Sequence, residues 1–135
     1  MKKVISAQQL LDIANEFGTP VYVYHAETIT DQFQKLQSAF KGHPTRFFYA
    51  CKALTNIHIL KHLLQLGANL DCVSINEVKL GLHVGFEPSQ ILFTPNCVDF
   101  SEIKEAKELA AIEKAKELAA ARCRKAEINN TVSCK

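Results

Sequence analysis

The sequence has no tryptophan, one methionine, five glycines and four prolines in 135 residues. So little glycine and proline excludes a collagen-like or low-complexity chain. No apolar run approaches the roughly 20 residues that a membrane-crossing helix needs. The opening MKKVISAQQLLDIANEF turns polar too soon after its lysines to supply a signal peptide's apolar stretch. The expected location is therefore the cytoplasm, with no membrane partner. Charge of one sign is also lacking, since 16 Lys+Arg against 14 Asp+Glu leave a formal net charge of +2. The bases are interleaved with acids, so there is no electrostatic footprint for nucleic acid. The cysteines Cys51, Cys72, Cys97, Cys123 and Cys134 form no C-x-x-C pair and have no histidine at zinc spacing. They are expected to be reduced thiols, in neither a metal site nor a disulfide framework.

What is present is the material of one globular domain: 47% hydrophobic and 22% charged residues, enough to bury a core. SAQQLLDIANEFGTP places Leu10, Leu11, Ile13, Ala14 and Phe17 at helical spacing, with Ser6 to cap the start and Gly18 to end it. VYVY (21–24) predicts a strand, and AETITDQFQKLQSAFKG a helix with Ile29, Phe33, Leu36 and Phe40 on one stripe. RFFYA (46–50), NLDCVS (69–74) and QILFTP (90–95) predict strands, separated by the helical patterns NIHILKHLLQLG and SINEVKLGLHVG. Apolar strands alternating with helices of about three turns predict a parallel sheet with crossover helices, an α/β fold.

Beyond that the pattern changes. A helix capped by Asp99 or Ser101 is predicted to run through a stretch rich in alanine, lysine and glutamate. The hexapeptide AKELAA occurs at 106–111 and again at 115–120, which puts Leu109 and Leu118 on opposite faces of a helix. The segment reads as a solvated helical tail or as an interruption of a natural sequence by duplication, frameshift or engineering.

The stretch FFYACKALTN (47–56) raises the chemical question, because its strand ends abruptly on Lys52. Functional groups in parallel α/β folds gather at the carboxyl ends of strands, where loops vary on a rigid frame. Lys52 stands at one such end; Asp71, Ser74 and Glu77 stand in or just after the next strand, and Thr94 and Asn96 at the end of the third. A lysine beside carboxylates suits Schiff-base chemistry, in which the acids manage the protons. A lysine at a strand end is usually solvated, which explains Lys52 without any chemistry. Ser74 and Glu77 also form the S-x-x-E pattern of a helix-starting capping box. His58 and His62 lie at metal-capable i, i+4 spacing but have no third ligand, which predicts surface helix positions.

The motifs taken in order add a resemblance. GTPVYVY, YACKA, ANLDCVSINE and GFEPSQILFT, over about residues 17–105, make the sequence similar to the N-terminal region of the pyridoxal-phosphate decarboxylases of the alanine-racemase-like fold. The likeness is greatest to those that convert meso-diaminopimelate to L-lysine and carbon dioxide in lysine biosynthesis. The resemblance implies the first three β/α units of a (β/α)8 barrel of the TIM type, preceded by a helix and a strand and followed by a long helix. It implies pyridoxal 5'-phosphate as cofactor, Lys52 as the Schiff-base lysine, Asp71 and Glu77 as acids lining the cofactor side, and Ser74 and then Asn96 as lesser contacts. An amino-acid substrate and a homodimer follow from the same likeness.

Residues 1–105 are expected to be the barrel portion and 106–135 a tail unlike the family, the departure beginning near residue 110. A barrel takes about 250 residues. After its third barrel strand this sequence lacks the family's cofactor-stacking histidine, glycine-rich phosphate loop and acidic partner of the ring nitrogen. An open sheet leaves apolar surface uncovered, so the isolated chain is expected to be marginally stable, prone to associate and without useful decarboxylase activity. Another decarboxylase of this fold, or a remodelled fragment with no enzymatic role, is the alternative.

Overall fold

A computed structural model of the chain describes residues 5–110. The backbone divides into two compact units, Met1–Arg46 and Phe47–Lys135.

The first unit carries two helices. α1 (Ala7–Phe17) begins in a reciprocal capping box: the Ser6 hydroxyl accepts the Gln9 N–H at 3.2 Å and Gln9 Oε1 accepts the Ser6 N–H at 2.9 Å. α2 (Ala26–Ala39) begins at His25, whose ring Nδ1 accepts the Thr28 N–H. The expected strand at 21–24 is not formed; these residues have no regular secondary structure. Valine and tyrosine favour extended backbone, but a strand also needs a ladder partner, and the described part of this unit offers only helices.

The second unit holds the sheet. β1 (Phe48–Ala50), β2 (Asn69–Cys72) and β3 (Ile91–Phe93) lie side by side in that order, all parallel. α3 (Ile57–Gln65) connects the first pair and α4 (Ile75–Val84) the second. The parallel α/β class is as the alternating pattern predicts, although each strand is shorter than its apolar run. The ladder is partly continued by single bonds: Asn69 N–H to Phe47 O at 2.8 Å and Thr94 N–H to Cys72 O at 2.8 Å.

Caps fix both crossover helices. Asn56 Oδ1 accepts the N–H groups of His58 and Ile59 to start α3, and the Ser74 hydroxyl accepts that of Glu77 to start α4. Each ends on a glycine with positive φ, Gly67 at 84° and Gly85 at 110°, where a side chain would be strained. Past Gly85 the chain turns back, Phe86 N–H reaching Gly81 O at 3.0 Å, and the Phe86 ring enters the core at 2% exposure.

That core lies between the helices and one face of the sheet. Leu60 of α3, Ile75, Val78 and Val84 of α4, and Cys51, Leu70, Cys72 and Phe86 are buried together. Gly81 lets α4 approach closely, since a Cβ there would stand 2.7 Å from Leu70 Cδ2 and 3.2 Å from Ile91 Cδ1. A further helix, α5, covers residues 100–110; Asp99 Oδ1 accepts the N–H of Ser101 at its start, and Ala106 and Leu109 pack on the core. The second AKELAA copy, and most of the expected tail, lies outside the described residues. Among the described residues no helix is long and apolar enough to cross a membrane.

Candidate functional site

Strand alternation divides β2 chemically. Leu70 and Cys72 point into the helix-covered core, so Asp71 between them points to the other face. Across the ladder Asp71 is level with Ala50 of β1 and Leu92 of β3, which puts these three residues on that other face. It is the more open side: Leu92 is 47% exposed and Phe48, two residues before Ala50, is 36% exposed.

Lys52 follows at the carboxyl end of β1. The strand closes into a 3-10 turn, Cys51–Ala53, with Leu54 N–H bonded to Cys51 O at 3.1 Å. Cys51 is buried and anchors the turn while Lys52 is exposed upon it. The Tyr49 hydroxyl donates to Leu54 O at 3.5 Å, tying the turn to its strand.

At the ends of the next two strands, the Thr94 hydroxyl donates to Asp71 Oδ1 at 2.5 Å. This side-chain bond links β2 to the residue that follows β3. Asn96 lies farther on, exposed in the loop. His58 is exposed and His62 half-buried on α3.

The S-x-x-E segment forms half of the expected box. Ser74 caps α4 through the Glu77 N–H at 3.3 Å, but the Glu77 carboxylate reaches past Ser74 to the Val73 N–H, which donates to Oε2 at 2.7 Å. Glu77 is thereby held beside the buried thiols, and ligand atoms of Cys51, Cys72 and Glu77 all lie within 4.8 Å of one another. Burial, and then the nearby Glu77 carboxylate, pushes the Cys51 thiol up to about 11. Burial, then Cys51, Glu77 and Asp71, pushes Cys72 up to about 12. The two sequence-predicted acids thus sit at the same end of the sheet in different surroundings, Asp71 on the open face and Glu77 beside the core thiols. The thiol–carboxylate cluster is invisible to sequence spacing; it follows from the strand register, which pairs Ala50 with Asp71 and so sets Cys51 and Cys72 each one step beyond that pair.

Over residues 26–129 the sequence matches the family described as pyridoxal-dependent decarboxylase, pyridoxal binding domain. It is 38% identical to the diaminopimelate decarboxylase of Methanothermobacter thermautotrophicus over 105 residues, covering 76% of this chain and 24% of that protein. It is 38% identical to that of Campylobacter jejuni over 96 residues, covering 71% and 24%. The chain therefore spans about a quarter of the length of these curated relatives. Among solved structures it resembles Helicobacter pylori diaminopimelate decarboxylase complexed with L-lysine, with a TM-score of 0.64 and 33% identity, covering 71% of this chain and 25% of that one. It also resembles the lysine/ornithine decarboxylase of Vibrio vulnificus complexed with putrescine, with a TM-score of 0.69 and 25% identity, covering 78% and 29%.

Proposed function

Because the chain belongs to the pyridoxal-dependent decarboxylases, matching their pyridoxal-binding domain over residues 26–129, we propose that its sheet is the opening part of the family barrel. In this reading Lys52 is the amine that engages the cofactor. The observation that carries it is the position of Lys52: exposed on a closed turn at the carboxyl end of β1, at the same end of the sheet as the hydrogen-bonded Asp71 and Thr94.

The donor set fits the aldehyde end of pyridoxal phosphate. A primary amine stands in solvent on a turn whose neighbour Cys51 is fixed in the core, so the amine is accessible while its backbone is held. Pyridoxal phosphate, when bound, supplies the sink for the electron pair that a departing carboxylate leaves behind. The chain's own residues bind and orient. Lys52 would hold the cofactor at its aldehyde end, and Asp71, restrained by the Thr94 hydroxyl, presents its second oxygen on the open face for a positive charge or a proton. The Glu77 carboxyl group is held behind the turn by the Val73 N–H, and Ser74 sets that position by starting α4.

Decarboxylation of meso-diaminopimelate to L-lysine is the reaction this reading assigns to the complete assembly, supported by the relatives at 38% identity. An amino-acid substrate, pairing with a second copy and a cytoplasmic location belong to the same proposal. The likeness to the lysine/ornithine decarboxylase favours a second reading, in which a basic amino acid is the substrate. Incubation with pyridoxal phosphate, borohydride reduction and peptide mapping test the shared premise. The expected result is a pyridoxyl label concentrated on Lys52 and lost in Lys52→Ala. Label spread evenly over the surface lysines in both chains would overturn it.

A further inference from the structure

Behind the Lys52 turn, three potential metal ligands converge from three elements. Cys51 belongs to the 3-10 turn, Cys72 ends β2, and Glu77 stands in the first turn of α4. Their ligand atoms lie within 4.8 Å of one another, and both sulfurs belong to side chains with 0% exposure. A coordination shell spans slightly less than this bound. With metal–sulfur bonds of about 2.3 Å, two thiolates stand about 3.8 Å apart across a tetrahedral angle and about 4.6 Å apart across a linear one. The carboxylate is already oriented, because Val73 N–H binds Oε2 and leaves Oε1 as a ligand atom. A backbone donor holding a ligand in this way is the usual outer support of a metal site.

We propose that Cys51, Cys72 and Glu77 bind a thiophilic divalent d10 cation, zinc or its analogue cadmium, which clamps the Lys52 turn to β2 and α4. Sulfur-rich donors select this class over magnesium or calcium, whose shells are built of oxygen. Binding is a substitution: the hydrated ion sheds bound waters, two S–H bonds break, two metal–sulfur bonds and one metal–oxygen bond form, and two protons leave to solvent. Nothing is oxidised or reduced. A disulfide is the competing fate of two adjacent cysteines, but it requires a thiolate to attack in reach of an oxidant, and both thiols are shielded. The proposal is independent of the cofactor reading, since its test reads metal and not activity.

The test uses the full chain carrying Cys97→Ser, Cys123→Ser and Cys134→Ser, so that Cys51 and Cys72 are the remaining thiols. Cadmium is titrated while sulfur-to-cadmium absorption, released protons and the melting midpoint are followed. One equivalent per chain, about two protons per ion and a raised midpoint are expected. Adding Cys72→Ser should remove the absorption. Glu77→Gln keeps an oxygen for Val73 N–H but loses the charge, so it should weaken binding about tenfold or more while leaving the metal-free melting midpoint nearly unchanged. Failure of the three-serine chain to take up cadmium with its circular dichroism intact would overturn the proposal. So would Glu77→Gln binding as tightly as its parent, or a denatured, unreduced chain with no free thiol.

Discussion

Cys51 and Cys72 are buried thiols held in the neutral state, and this has consequences in the metal-free chain. Burial lifts them to about 11 and about 12, from 9.0 in an unstructured chain. Between pH 9 and those values the unfolded chain loses protons that the folded chain keeps. By linkage, stability is fully present below about pH 9 and falls as pH rises through the folded values. Urea midpoints should therefore drop between about pH 8 and about pH 10.5, and the drop should shrink in a Cys51→Ala, Cys72→Ala chain. Iodoacetamide at pH about 8 should modify exposed Cys97 well before either buried thiol, as peptide mapping over time would read. Equal rates at the three positions would mean that the core opens freely. Lys52, Asp71, Ser74, Glu77 and Thr94 were all legible in the sequence as strand-end candidates. The direction of each side chain was not: Asp71 and Glu77 are both acids near one strand end, but strand alternation sends one to the open face while the Val73 N–H draws the other toward the thiols.

At the scale of elements, stability is predicted to rest on caps and on one close approach. Ser74→Ala removes the acceptor of the Glu77 N–H and should cost about 1 kcal/mol in chemical denaturation. Gly81→Val puts a branched side chain where even a Cβ would meet Leu70 at 2.7 Å, and should cost about 2–3 kcal/mol, with little change in the far-ultraviolet spectrum. A Gly81→Val chain as stable as its parent would show that the α4–sheet contact yields easily. The crossover helices were readable because their signals are local: Asn56 and Ser74 start them, and Gly67 and Gly85 terminate them by accepting positive φ. The run VYVY failed as a strand signal because its alternation of types is local while ladder pairing is not.

For the whole molecule, the sheet has a covered face and a more open one. Phe48 and Leu92 are exposed on the side that carries Asp71, and such a surface favours association. The 135-residue chain is expected to show concentration-dependent mass in sedimentation, reduced by Leu92→Lys without loss of secondary structure. A monomer at every concentration would mean that this face is otherwise satisfied. The parallel α/β class, the order of crossover helices, the family and the position of Lys52 at a strand end could all be read along the chain. Each of these follows from periodicity, caps or the order of short motifs, which are properties of neighbouring residues along the chain. That VYVY forms no strand, that Gly81 is a contact point, and that Cys51, Cys72 and Glu77 meet emerge from the folded arrangement. Those outcomes depend on strand register and helix approach, which bring together residues that no linear spacing relates.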